Sequence, residues 1–274
     1  MGRFAACATL FLMFVVAPGV LRAQEFPHID ELRLSLERGE YEAVSERAES
    51  LLDSIESRRG SESLESAQIV DLLLQSRWRS GKSLGPEERA LAERALRIWE
   101  GADRPSVELV IALSNLGIAL RDAGELVESI ETFTRALSIR EESLGREHPD
   151  VGKNLNQLGW TYSLAAEFDL ARECYKRGLQ IRERRFGPDH AEVAASLNNL
   201  AILEKTIGDY SAARQLYSRA LTIHESVYGR DHARVATTLS NLANLLCTQG
   251  GFAEAQALYE RISRIKQVFA RRVK

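Results

Sequence analysis

Very little in this 274-residue chain interrupts or cross-links it: six prolines, three cysteines, two methionines and 7% aromatic residues. So few prolines leave long stretches free to run as uninterrupted helix, since an interior proline removes a backbone donor and clashes with the preceding turn. Three cysteines exclude a disulfide framework. No segment alternates apolar and polar residues at period two, so half-buried strands are not expected. Charge of one sign is also missing. Thirty-six Lys and Arg against 39 Asp and Glu leave a formal net charge of −3, which excludes the overall basic field of a nucleic-acid binder. Phosphate-binding Gly-x-x-x-x-Gly-Lys-Ser/Thr, zinc-binding His-Glu-x-x-His and nucleophilic Gly-x-Ser-x-Gly do not occur. No enzyme, cofactor or metal centre is therefore expected.

The one long apolar run covers residues 4–17, short of the roughly 20 residues a spanning helix needs. It follows Met1-Gly2-Arg3, is broken by Pro18-Gly19, and leads to Ala23 before Gln24. That order is a secretory signal peptide, residues 1–23, expected to be cleaved after Ala23 and to place the chain in the periplasm or outside the cell. Leu21 stands where a small residue is preferred, so the alternative is an uncleaved N-terminal membrane anchor. Once cleaved, the chain would have no membrane span. Cys174 and Cys247 would remain, on different helices, as separate thiols.

What is abundant is a spacing. His148, His190 and His232 are evenly spaced, and the same period of 42 separates Leu158, Leu200 and Leu242, and Tyr175, Tyr217 and Tyr259. Several independent columns at one period mean a repeated structural unit. Four regular units follow: 105–146, 147–188, 189–230 and 231–272. A first helix carries Leu113, Leu155, Leu197 or Leu239, and Gly117, Gly159, Ala201 or Ala243 stands where the second helix must come close. Gly124, Ala166, Gly208 and Gly250 fall at the turn between the two helices. Residues 24–104 read as degenerate N-terminal helical repeats or a cap. The repeated histidines cannot share one metal ion, because each unit inserts two packed helices between equivalent positions. They are expected to be structural residues beside a helix N-terminus, with Glu147, Asp189 and Asp231 either capping it or opposing its dipole.

The columns resemble the tetratricopeptide repeat, whose usual period is shorter, about 34 residues. Glu147-His148-Pro149-Asp150-Val151, Leu197-Asn198-Asn199-Leu200-Ala201 and Ala136-Leu137-Ser138-Ile139-Arg140-Glu141 resemble its longer form in kinesin light chains. The resemblance implies an all-α, right-handed solenoid of antiparallel helix pairs. It also implies a non-catalytic scaffold that binds an extended peptide or protein segment in a concave groove. The first helices would line that groove with Asn115, Arg121, Lys153, Asn156, Gln157, Trp160, Asn198, Asn199, Lys205 and Asn241. A carboxamide donates and accepts, so a ladder of them can hold the backbone of any extended chain; equally, these side chains can brace one repeat against the next. Arg121, Lys153 and Lys205 favour a partner that is acidic or offers a free C-terminal carboxylate. The alternative function is a structural subunit acting by self-association or end-to-end contacts. No nucleic-acid partner is expected.

Overall fold

The computed structural model describes residues 27–102 and 107–272. The expected leader 1–23, its cleavage site and the start of the regular array at Pro105 lie outside the described residues. Twelve helices and no strand are present among the described residues. They alternate in two rows. The A row is α1 (Pro27–Glu37), α3 (Leu64–Arg79), α5 (Val107–Asp122), α7 (Pro149–Leu164), α9 (Ala191–Ile207) and α11 (Ala233–Thr248). The B row is α2 (Tyr41–Arg59), α4 (Pro86–Glu100), α6 (Leu126–Leu144), α8 (Phe168–Phe186), α10 (Tyr210–Tyr228) and α12 (Phe252–Arg272). Each helix packs on the one before and the one after, as in a solenoid. No helix among the described residues is long and apolar enough to cross a membrane.

The starts of α7, α9 and α11 are set by the repeated histidines. His148, His190 and His232 occupy the N-cap, and each Nδ1 accepts the backbone N–H two residues on, at 3.2 Å. The first turn of a helix leaves four such donors unpaired, and the ring satisfies one. His190 stacks on Phe186 and His232 on Tyr228, with ring centroids 4.7 and 4.5 Å apart. The capping group is thus the histidine itself and not the acidic residue before it.

The A-to-B turn requires a left-handed residue. Gly39, Gly81, Gly124, Gly208 and Gly250 supply it, and Ala166 takes the same conformation at φ 61°. Gly39, Gly81 and Gly124 keep the spacing of the later turns to within one position, so the period runs through the N-terminal segment as well. What diverges there is the connection between α3 and α4. It is longer and is pinned by Asp122, whose Oδ2 accepts Ser83 Oγ at 3.2 Å and the Leu84 amide at 3.0 Å.

Apolar burial holds the rows together. One cluster runs continuously from Ile29 in α1 to Leu158 in α7, and smaller clusters carry the packing to Ile265 in α12. Where the helices of a pair come closest, an added Cβ at Gly117 would stand 2.9 Å from the buried Phe133 ring. A charged ladder also joins successive B helices: Arg94 to Glu56, Arg135 to Glu100, Arg177 to Glu141, Arg219 to Glu183 and Arg261 to Glu225, at 2.5 to 2.8 Å.

Ala166 is the one described non-glycine residue at positive φ. Its Cβ costs about 1–2 kcal/mol there, whereas glycine reaches the conformation freely. Ala166→Gly is expected to raise stability by about 0.5–1 kcal/mol, read as a higher urea midpoint at unchanged slope. Gly117→Ala is expected to lower it, by about 1–3 kcal/mol of overpacking, despite alanine's better helix propensity.

Candidate ligand-binding groove

Successive A helices touch one another directly, while B helices meet only through long side chains. The A row therefore lies on the inside of the curve, and its outward stripe lines a groove. Helical geometry puts positions separated by three or four residues on one face. In α7 that stripe is Lys153, Gln157, Trp160 and Leu164; in α9 it is Ala195, Asn199, Ile202 and Thr206; in α11 it is Thr237, Asn241, Asn244 and Thr248.

Three of the expected contact asparagines point into joints instead. Asn115 is 1% exposed and donates through Nδ2 to Asp71 Oδ1 at 2.9 Å. Asp71 is buried in α3 and also accepts Trp99 Nε1 at 2.8 Å. With its carboxamide turned so that the oxygen faces the guanidinium, as the donors there require, Asn156 accepts from Arg182 Nη1 and Nη2 at 2.7 and 2.9 Å. Asn198 donates to Thr238 Oγ1 at 3.0 Å. These three are braces between helices, and their correction has a common cause: a polar group removed from water must find a partner, and the neighbouring helix provides one.

The braces belong to a repeated polar seam. Arg140, Arg182 and His224 share one column of the B helices. Each reaches the residue 14 positions on, in the next A helix: Asn154, Ser196 and Thr238. All three receiving residues are buried. Burial pushes the pKa of both arginines and of His224 down. In the last joint, Nε2 of His224 and Oδ1 of Asn198 are buried with no partner, whereas the arginine of the preceding joint reaches the equivalent asparagine directly.

The remaining expected residues stand on this stripe or beside it. Arg121 is buried, donates to Gln157 Oε1 at 2.8 Å and lies over the Trp160 ring at 3.7 Å. This holds Trp160 in place with 47% of its surface open. Lys153 is exposed and pairs with Asp150 at 2.7 Å. Asn199, Lys205 and Asn241 are half-buried, and their side chains make no hydrogen bond among the described residues.

Where α3, α5 and α7 converge, the groove deepens into a cavity of about 240 Å³. Trp78, Val107, Ile111 and Ile118 supply its apolar wall; Arg79, Arg140 and Lys153 bring positive charge, against the single carboxylate of Asp150. Arg140 commits Nη1 to the Asp150 carbonyl and Asn154, and its other guanidinium N–H groups make no hydrogen bond among the described residues. Nδ2 of Asn154 and Nε1 of Trp78 are buried donors without an acceptor. Sequence reading missed Trp78, Arg140 and Asn154. The signal for Trp78 was present: continuing the turn spacing back through Gly81 puts it in the column of Arg121 and Lys205.

A tetratricopeptide repeat family model matches residues 108–184, 167–226 and 207–267. BtubC (BKLC) from P. vanneervenii superimposes with a TM-score of 0.64 at 22% identity, over 83% of this chain and 90% of that one. A putative kinesin light chain from P. anserina, with nearly identical TPR-like repeats, gives 0.63 at 20% identity, over 76% and 98%. A Rap protein complexed with Competence and Sporulation Factor gives 0.61 at 13%, over 88% and 74%. No curated protein matches the sequence.

The Asp71 joint makes stability depend on pH. Burial raises its pKa to about 7, opposed by the Trp99 and Asn115 donors and by Arg33, and reinforced by Glu108. Between about pH 4 and 7 the folded chain keeps a proton that the unfolded chain has released, so this group's contribution to stability falls as pH rises, by up to about 1.4 kcal/mol per pH unit. Urea midpoints followed from pH 4.5 to 8 are expected to show this slope in the wild type relative to Asp71→Asn, which lacks it.

Proposed function

Because the chain belongs to the tetratricopeptide repeat family, we propose that it is a non-catalytic interaction scaffold whose A-helix groove holds an extended segment of a protein partner. The observation that carries this reading is the cavity between α3, α5 and α7. It joins an apolar wall to three cations, and one of them, Arg140, has guanidinium donors without an acceptor among the described residues. A desolvated guanidinium is best satisfied by a carboxylate, which takes two parallel hydrogen bonds. The ligand is accordingly a segment with an apolar residue beside a carboxylate, whether a C-terminal carboxylate or an Asp or Glu side chain. From the cavity the segment runs along the groove past Trp160, Ile202 and the free carboxamides of Asn199 and Asn241.

This groove differs from the one read in the sequence in which asparagines grip. Asn199 and Asn241 remain gripping residues, while Asn115, Asn156 and Asn198 hold the walls. Trp160 is an apolar anchor of the residue type that often dominates an interface, set in position by Arg121. A Rap protein of the same fold has been solved in complex with Competence and Sporulation Factor, which supports the use of such a scaffold to hold another molecule. We further propose that residues 1–23 direct export, so that the partner is met in the periplasm or outside the cell.

The test is a panel of fluorescent peptides titrated by polarisation, each ending in an apolar residue as the free acid or as the amide, or carrying an internal Asp or Glu. At least one carboxylate-bearing class is expected to bind. Lys153→Glu is a surface change expected to leave the melting temperature in place and to weaken binding about tenfold or more, as loss of a charge-assisted contact does. Trp160→Ala is expected to weaken it similarly. Equal binding of charged and uncharged peptides, or indifference to Lys153→Glu, overturns the carboxylate reading.

A further inference from the structure

The last B helix carries a face that the others hide. Phe133, Tyr175 and Tyr217 share one column and are 0%, 6% and 1% exposed, while Tyr259 in that column is 39% exposed. Tyr217 is buried in one apolar cluster with Leu242, Leu245 and Leu246 of the following A helix; among the described residues no following helix encloses Tyr259 in that way. Phe252, two turns earlier on the same stripe, is 69% exposed. Together they border a shallow depression of about 730 Å³ along α12.

This face is not shaped to receive one more repeat of the same kind. The column that is Leu137, Leu179 and Leu221 in the preceding units becomes Ser263, and the ladder position that is Glu141, Glu183 and Glu225 becomes Gln267. A following B helix would therefore find no acid for its arginine. What the face has instead is one acid and one base a single turn apart, Glu260 and Arg264. Among the described residues neither side chain makes an ion pair, that of Arg264 makes no hydrogen bond, and that of Glu260 accepts only Gln256 Nε2 at 3.2 Å.

We propose that this face pairs with a second copy of itself, two α12 helices crossing antiparallel about a two-fold axis near position 262. In a two-fold interface each patch meets its own copy, so residue i faces j and j faces i. The antiparallel arrangement sets Arg264 of each copy on Glu260 of the other, forming the same pair twice, and covers the Tyr259 rings between them. At the opposite end of the solenoid two of the bases are already engaged: Arg47 pairs with Glu31 at 2.8 Å and Arg33 with Asp30 at 3.6 Å. One helix face is a small interface, below about 1,200 Å² in total, which corresponds to a weak and reversible dimer with a dissociation constant on the order of 10–100 µM. The proposal goes beyond the groove reading and does not depend on it.

Sedimentation equilibrium of the chain without residues 1–23, from about 1 µM to 1 mM, tests it across the range where such a dimer would form. A monomer–dimer equilibrium that weakens with added salt is expected. Arg264→Glu and Glu260→Arg, both surface changes, are each expected to raise the dissociation constant at least tenfold by setting like charges together. The double exchange Glu260→Arg with Arg264→Glu is expected to restore it to within about threefold of wild type. Tyr259→Ser is expected to weaken the dimer with no rescue by the exchange. A monomer at all concentrations, growth beyond the dimer, or a double exchange no better than the single changes would each overturn the assignment. Peptide titrations of the Glu260 and Arg264 variants keep the two readings separate, since neither residue lies in the groove; Tyr259 is left out of that comparison because its hydroxyl donates to Asn244 Oδ1 at 2.6 Å.

Discussion

A single pair of helices in this chain has two apolar faces and can bury only one of them within itself. The other must be covered by the next pair, and this necessity generates the molecule. It fixes the constant spacing of the columns, since each turn, small residue and aromatic must recur where the next unit needs it. It places Gly117 and Gly159 where the Phe133 and Tyr175 rings press against the paired helix, with Ala201 and Ala243 at the same position in the next two units. It also explains why the columns stay apolar over so long a chain, while the solvent-facing stripes vary freely from unit to unit.

Apolar stacking alone would tolerate sliding of one unit on the next. The polar seam does not. A guanidinium or imidazole that reaches a fixed position in the next A helix has one register in which its donors are met, and every slip leaves buried charge unpaired. The seam is varied along the chain: Arg140 meets Asn154, Arg182 meets Asn156 and Ser196, and His224 meets Thr238 with its second nitrogen unmet. The joint before α11 is thus the least satisfied of the three. At the other end, the buried carboxyl group of Asp71 takes a corresponding role, held by an indole and a carboxamide. Tight joints of this kind keep each stretch of the groove wall in shape locally, with Trp160 seated against Arg121.

The columns were legible in the sequence because each is set by neighbours at a constant distance along the chain. His148, His190 and His232 could be assigned to helix starts on spacing alone, although which group does the capping could not. The groove was less legible, for a geometrical reason. Adjacent residues on a helix point about 100° apart, so Asn156 faces a joint while Gln157 faces the groove, and Asn198 and Asn199 divide in the same way. Column membership does not settle the matter either. Asn115 and Asn199 share a column, yet Asp71 draws the first inward, while the position equivalent to Asp71 before the second is Asn156, already engaged by Arg182. Trp78 and Arg140 were harder still, because one lies in a unit whose inter-helix loop is lengthened and the other reaches the cavity from the outer row.

The arginine–glutamate ladder on the outer row has a mechanical meaning. The inner helices are in direct contact and resist compression, so when the solenoid flexes they act as its unstretched line, and strain appears among the outer helices. What spans that side is a set of long side chains ending in ion pairs near the surface, each worth on the order of 1 kcal/mol or less and weakened by salt. The molecule is thus stiff along its inner line and compliant along its outer one. Its curvature, and with it the width of the groove, is softer than the packing of any single joint and becomes a property that ionic strength can set.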